Sequence, residues 1–182
     1  MKATRLALPE VLLLEPALFE DERGWFTESF NARSFAAATG LDVTFVQDNH
    51  SRSARNVLRG LHYQLPPAAQ GKLVRVIVGG ILDVAVDIRK ASPTYGRWVA
   101  ERLSAANRRQ LYVPAGFAHG FVALEAGTEV IYKTTGHYDR AAERSIRWDD
   151  PDLAIAWPAG LAPLLSAKDA AAPLLAEADT FD

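Results

Sequence analysis

The sequence contains no cysteine, which excludes disulfides, thiolate nucleophiles and any zinc site built on sulfur. That composition suits a reducing compartment. No stretch of about 18 uncharged apolar residues occurs, because Asp83 and Asp87 interrupt the most apolar region, so no membrane span is expected. Lys2 and Arg5 sit near the start, but Pro9, Glu10, Glu15 and Pro16 break the apolar stretch after them, unlike a signal peptide. A cytoplasmic location is the expectation. Neither sign of charge is in large excess: a net charge of -2 with 23% charged residues gives no basic field for nucleic acid or an anionic membrane. Nucleotide loops are missing too. Gly71-Lys72 lacks the spacing of a phosphate loop, no G-x-G-x-x-G opens a helix, and no G-x-S-x-G elbow exists. Neither a nicotinamide cofactor nor Ser-His-Asp hydrolysis is expected.

What is present reads as one β-rich domain over residues 1–182. The 49% hydrophobic composition is ample for a core. Strand-like runs recur at Val43–Val46, Val57–Tyr63, Lys72–Val78, Ile81–Ile88, Arg97–Leu103, Gln110–Val113, His119–Leu124 and Glu129–Thr134, the rhythm of an all-β sandwich or barrel. Gly79-Gly80 predicts a tight hairpin between two of them. Asn31 to Gly40 predicts one short helix with Asn31 as cap and Gly40 as stop, and the Ala-, Leu- and Pro-rich tail from Ala159 predicts a helix and loops. No repeat or linker interrupts the chain. Alternation along Ile81–Arg89 puts Leu82, Val84, Val86 and Ile88 on one face and Asp83, Ala85, Asp87 and Arg89 on the other. On the outside of a barrel those carboxylates would be solvated.

Two histidines carry the most information: His62 in Arg59-Gly60-Leu61-His62-Tyr63-Gln64, and His119 in Pro114-Ala115-Gly116-Phe117-Ala118-His119-Gly120-Phe121. Each lies among apolar and aromatic residues bounded by Gly or Pro, so both read as strand residues feeding one pocket. Either alone would more often be a core histidine satisfied by hydrogen bonds. Their spacing is similar to that of cupin metal motifs, but Gln64 stands where the second histidine belongs and no glutamate follows at the expected distance. His62 and His119 alone fall short of the three protein ligands usual for catalytic zinc. No metal is expected, with Asp83 the only third ligand that leaves one open. Arg59 and His62 have opposite strand parity, so either Gly60 makes a bulge or the two face different surfaces, a neighbouring subunit's site included.

Taken together, the polar runs resemble the dTDP-4-dehydrorhamnose 3,5-epimerases closely. The matching stretches are Phe19 to Glu28, Phe45 to Ser51, Arg59 to Gln64, Gln70 to Val74, Asp83 to Arg89, Tyr112 to Phe121, Tyr132 to Thr135 with Tyr138, and Ser166 to Asp169. They follow family order across nearly the whole chain. The resemblance implies a cupin-type jelly roll with a few short peripheral helices, acting as a homodimer without metal or cofactor on a dTDP-4-keto-6-deoxyhexose. By the same resemblance His62 is the general base, Asp169 the carboxylate that holds it, Tyr132 the acid on the opposite sugar face, and Lys72 the group that stabilises the enolate oxygen. Arg23, Glu28, Gln47, Asn49, Arg59, His119, Glu143 and Lys168 would bind sugar, diphosphate or nucleotide, and Tyr138 would stack on thymine.

Such residues suit the chemistry. A 4-ketone acidifies the hydrogens on C3 and C5, so one base beside it can invert both centres in turn without a redox cofactor. Imidazole, with an ordinary pKa of about 6.5, titrates near working pH, and a carboxylate on its other nitrogen fixes the tautomer and raises its basicity. An ammonium binds the enolate better than the ketone. A phenol with a pKa near 10 can return the proton from the far face. A diphosphate calls for guanidinium forks such as Arg23 and Arg59, each of which alone would read as a surface arginine. Lys72, Tyr132 and Tyr138 alone would read as a surface lysine and packing aromatics. Three other functions share much of this pattern: a single-centre epimerase of an antibiotic-sugar pathway, a ketoisomerase, and a non-catalytic nucleotide-sugar binder. Base, orienting acid and proton donor together count against the last two, since pure binding needs no such trio. For the dimer, the apolar run Val11-Leu12-Leu13-Leu14 is expected to extend a neighbour's sheet as an added strand, against the plainer alternative of packing within its own subunit.

Overall fold

The computed structural model describes residues 1–182 and begins with β1 (Lys2–Arg5), β2 (Leu12–Glu15), β3 (Leu18–Asp21), β4 (Gly24–Thr27) and helix α1 (Ala32–Thr39). There follow β5 (Gln47–Ser53), β6 (Leu58–Gln64), β7 (Lys72–Val78), β8 (Gly80–Asp87), β9 (Trp98–Ser104), β10 (Gln110–Val113), β11 (Phe117–Ala123), β12 (Thr128–Thr134) and β13 (Glu143–Ser145). A short helix α2 (Ala167–Ala170) and a 3-10 turn at Leu175–Glu177 close the chain. Antiparallel pairing gives a six-stranded sheet, β1-β2-β10-β7-β12-β5, and a five-stranded sheet, β13-β6-β11-β8-β9, while β3 and β4 form a separate ribbon. This is a cupin-type jelly roll. No helix is long and apolar enough to cross a membrane.

Period-two alternation divides the side chains among three layers. Between the sheets lie Leu13, Val74, Val76, Ile81, Ala85, Leu111, Phe117, Phe121 and Val130. The outer face of the smaller sheet, with Leu61, Tyr63, Val84, Val86 and Ile88, is covered by Ile146, Leu153 and Leu175 from the C-terminal region. Outside the larger sheet, Leu12, Leu14, Leu73 and Tyr112 pack against Phe35 of α1. That helix forms as the sequence predicts: Asn31 accepts hydrogen bonds from the backbone N–H groups of Arg33 and Ser34, and Gly40 ends it at φ +74°.

Several expectations are corrected. Val43–Val46 is not a strand; Val43 and Phe45 pack against the α1 cluster instead, and pairing starts only at Gln47. The run Val11–Leu14 does not extend a neighbour's sheet as expected: β2 lies between β1 and β10 of the same chain, with Leu14 fully buried. Gly79-Gly80 is not a hairpin, because β7 and β8 belong to different sheets. It is the corner at which the chain crosses between them, and Gly79 is required there by φ +72° and by Thr128, whose Oγ1 would lie 2.5 Å from an added Cβ. The acidic face of β8 is also the reverse of the solvated one expected. Its apolar face lies under the C-terminal region, and Asp83 and Asp87 are both 0% exposed.

Asp87 is satisfied by Arg89, which donates Nε and Nη2 at 2.8 and 2.7 Å, and by the hydroxyls of Ser92 and Thr94, each at 2.6 Å. Burial pushes its pKa up, but these donors outweigh burial and hold it at about 2. Arg89 also reaches Glu10 at 3.0 Å, tying the first loop of the chain to this end of the barrel.

Candidate active site

Register brings the chemistry-bearing side chains to one end of the space between the sheets. On the larger sheet Tyr132 pairs with Asn49 and Thr134 with Gln47, so Asn49, Gln47 and Tyr132 share the inner face. Lys72 is opposite Thr134 on the adjoining strand. On the smaller sheet His62 is opposite His119 on β11 and Ser145 on β13, and Glu143 is opposite Gln64. The cavity between them has a volume of about 260 Å³, lined by Gln47, Asn49, His62, Tyr63, Gln64, Gln70, Lys72, Tyr132, Tyr138 and Glu143.

The parity problem at Arg59 resolves as a bulge. Register shifts between the His119–His62 and Phe121–Arg59 pairs, so Gly60 and Leu61 together oppose Gly120. Gly60 has φ +143°, and an added Cβ would fall 2.5 Å from the Gly120 Cα; only glycine allows the strands to touch there. The extra residue turns Arg59 to the same side as His62. Its guanidinium bonds Ser53 Oγ and the Arg52 carbonyl on β5, close enough to Tyr132 for its charge to act on the phenol.

His62 Nε2 lies 2.5 Å from Asp169 Oδ1. Asp169 is placed by α2, whose cap Ser166 accepts the Asp169 N–H. With Nε2–H donating to the carboxylate, Nδ1 carries the lone pair. Burial lowers the His62 pKa below its ordinary 6.5 despite the opposing pull of Asp169, so the carboxylate raises basicity as expected but desolvation outweighs it. Burial also raises the Asp169 carboxyl, but its bonds to His62 and Ser166 more than reverse that. The result at neutral pH is a neutral imidazole on an ionised carboxylate.

Lys72 donates Nζ to the His62 carbonyl at 3.2 Å, and burial brings its pKa down to about 8 against the raising effects of Asp83 and Glu143. It is still protonated at neutral pH. Burial raises the Tyr132 phenol, partly opposed by Arg59, so Tyr132 is protonated as well. At the rim, Lys168 Nζ bonds Glu143 Oε1 at 2.8 Å and Tyr138 donates its hydroxyl to Oε2 at 3.2 Å. These two donors hold Glu143 below its ordinary range although burial alone would raise it. Gln47 donates to Asn49 at 2.9 Å and accepts the Tyr138 N–H.

Arg23 and Glu28 are not brought to this cavity. Arg23 lies in the turn of the β3–β4 ribbon, paired with Asp21, and Glu28 accepts from Asn31 and Ser34 at the start of α1. Gln64, at the cupin metal-histidine position, pins neighbouring loops: it donates to the carbonyls of Ala68 and His137 and accepts the Asp139 N–H. No three His, Asp or Glu side chains converge closely enough to hold a metal ion. His119 Nε2 is 2.7 Å from Asp83 Oδ1 in the barrel interior. Strand alternation alone puts Asp83 in solvent, although an acid inside an otherwise apolar strand is the signal that points inward.

A jelly roll holding an imidazole–carboxylate pair, an ammonium and a phenol around one polar cavity defines a cupin-type acid/base enzyme. Comparison with known proteins narrows the class: the family model for dTDP-4-dehydrorhamnose 3,5-epimerase matches residues 5–177, and the chain belongs to that family. It is 60% identical over 181 residues to the dTDP-4-dehydrorhamnose 3,5-epimerase of Pseudomonas aeruginosa, covering 100% of this chain and 99% of that protein. Among solved structures it resembles the dTDP-6-deoxy-D-glucose-3,5-epimerase of Legionella pneumophila in complex with dTDP-4-keto-L-rhamnose. There the TM-score is 0.94 at 49% identity, over 98% of this chain and 94% of that one. A 3'-monoepimerase from Streptomyces bikiniensis in complex with dTDP-quinovose is also similar, with a TM-score of 0.89 at 38% identity, over 97% of this chain and 88% of that one.

Proposed function

We propose that this chain inverts C3 and C5 of dTDP-4-dehydro-6-deoxy-D-glucose, giving dTDP-4-dehydro-L-rhamnose, by side-chain acid/base chemistry in the His62 cavity. The observation that carries the reading is the placement of His62 and Tyr132 on opposite sheets across one cavity. A sugar ring lying between them meets a neutral base on one face and a protonated phenol on the other. His62 Nδ1 takes the proton from the carbon next to the ketone, and the electron pair moves to O4. Lys72 Nζ binds the oxyanion, an interaction stronger in the enolate than in the ketone. Tyr132 then gives its phenolic proton to the opposite face of the carbon. Solvent reprotonates the phenolate and accepts the proton from the imidazolium, and the cycle repeats at the second centre.

In this reading Arg59, His119, Gln47 and Asn49 hold the sugar and diphosphate, and Glu143 with Lys168 forms the rim. Tyr138, 55% exposed, offers its ring to the base. Incubation of dTDP-4-dehydro-6-deoxy-D-glucose with enzyme in D2O is expected to place deuterium at both C3 and C5 and to yield the doubly inverted sugar by NMR. Exchange and inversion at one carbon only would instead mark a single-centre epimerase, and no exchange at all a binding protein. Because the substrate is a nucleotide-activated sugar, we assign the reaction to the cytoplasm.

Arg23 and Glu28 fit the same reading if a second copy of the chain completes the site. The β3–β4 ribbon stands apart from both sheets and exposes Phe19, Trp25 and Phe26, a cluster of aromatics unusual on a surface facing only water. A homodimer in which these rings are covered would bring Arg23 to the partner's diphosphate. Light scattering at micromolar concentration is expected to give twice the chain mass; a monomer mass would remove both the dimer and this role for Arg23.

A further inference from the structure

We propose that Asp83 is a positioning residue for this reaction: from the floor of the barrel its carboxylate orients His119 and sets a buried negative charge opposite the Lys72 ammonium. The proposal rests on the reading of Lys72 as the group that receives the oxyanion. Asp83 is 0% exposed, one oxygen accepts from His119 at 2.7 Å, and the other, Oδ2, is buried and makes no hydrogen bond within the protein. A buried carboxylate with an unpartnered oxygen is costly and calls for a reason. A structural carboxylate in the same strand shows the contrast: Asp87, four residues on, has both oxygens bonded.

The charges around Lys72 supply the reason. It shares the cavity with His62, Tyr132 and Glu143, His119 stands beside His62 on the adjoining strand, and the charges that act on it are Asp83 from β8, Glu143 from β13 and Lys168 from α2. Glu143 is committed to Lys168 and Tyr138, and Asp169 to His62. Asp83 bonds no lysine or arginine, and it is the foremost charge opposing the effect of burial on Lys72. Without it the ammonium would lose its proton more readily, and a neutral amine cannot stabilise an enolate as a cation does. The same carboxylate takes the Nε2–H of His119, leaving Nδ1 free of protein partners.

Asp83→Asn keeps an acceptor for His119 and removes the charge. Turnover of the wild-type enzyme as a function of pH is expected to fall on the alkaline side near pH 8, where Lys72 deprotonates. In Asp83→Asn that limb moves down by about one unit or more, so kcat above pH 8 falls about tenfold or more, while KM changes little and activity recovers partly as pH is lowered. A loss of the same factor at every pH, or an unmoved alkaline limb, overturns the proposal. Where Asp83→Asn does not fold, as judged by circular dichroism, Asp83→Ser carries the same expectation for the alkaline limb. If neither folds, Asp83 is a structural residue and the proposal fails. Lys72→Met separates this failure from that of the underlying reading: if turnover survives that change, Lys72 does not receive the oxyanion at all.

Discussion

His62→Ala is expected to abolish both turnover and the uptake of solvent deuterium at C3 and C5. The cavity contains one neutral imidazole with a free Nδ1, since His119 lies deeper against Asp83 and Lys72 is protonated. The carboxylates nearby cannot substitute: Asp169 is committed to Nε2 of the ring being removed, and Glu143 is held below its ordinary range by Lys168, which makes it a weak base. Positioned general bases contribute about 10²–10⁴-fold, and with no enolate formed the loss applies equally to inversion and to exchange. His62 sits at the cavity wall, with a partly exposed side chain, so truncation leaves the core packing intact, and the melting temperature should fall because the buried Asp169 carboxylate loses its partner. Exchange at near wild-type rate in the variant would refute the base assignment.

How much of this is legible in the sequence follows from the range over which each signal acts. The helix at Asn31–Gly40 is legible because cap, body and stop all lie within ten residues and each is a local backbone preference. Lys72–Val78 and Gln110–Val113 are legible for the same reason: apolar β-branched runs bounded by polar residues. β5 is not. Its sequence, Gln47-Asp48-Asn49-His50-Ser51-Arg52-Ser53, is polar throughout, because one face lines the wet cavity and the other lies at the sheet's open edge. A strand built for a polar site therefore carries no hydrophobic period to read. Gly79-Gly80 misleads for a topological reason: local chemistry specifies a turn but not whether the two strands it joins pair with each other or with distant partners.

The site is partly legible in the same sense. Resemblance and residue type gather His62, Lys72, Tyr132 and Asp169, and the structure unites them from four separate elements. Asp83 falls on the wrong side of its strand in the sequence pattern because both faces of β8 are buried. The apolar side meets the C-terminal region, and the mixed side meets the barrel interior. Alternation identifies two faces but does not say which is inner when a second layer covers the outside. The bulge at Gly60 is one of two options the sequence leaves open, and the contact between Gly60 and Gly120 is what decides for it.

The last expectation concerns Tyr132→Phe, which should separate proton removal from inversion. The substitution keeps the ring, which packs against the core between the sheets, and removes only the hydroxyl. His62, Asp169 and Lys72 are untouched, so the enolate still forms. What the variant lacks, on this reading, is a donor on the second face: burial raises the phenol's pKa, keeping it protonated at working pH, and the other acid of the larger sheet at the cavity, the Lys72 ammonium, is engaged with O4. The enolate is then reprotonated by the imidazolium it came from, with retention, after that group has exchanged with solvent. Deuterium uptake at C5 or C3 should therefore outrun inversion, and net conversion should fall by about 10²–10⁴-fold. In the wild type, on this reading, the competing donor should tie the two rates together. Equal loss of exchange and inversion in Tyr132→Phe would mean that the phenol assists enolisation itself, and equal retention would mean that the proton on the second face comes from elsewhere.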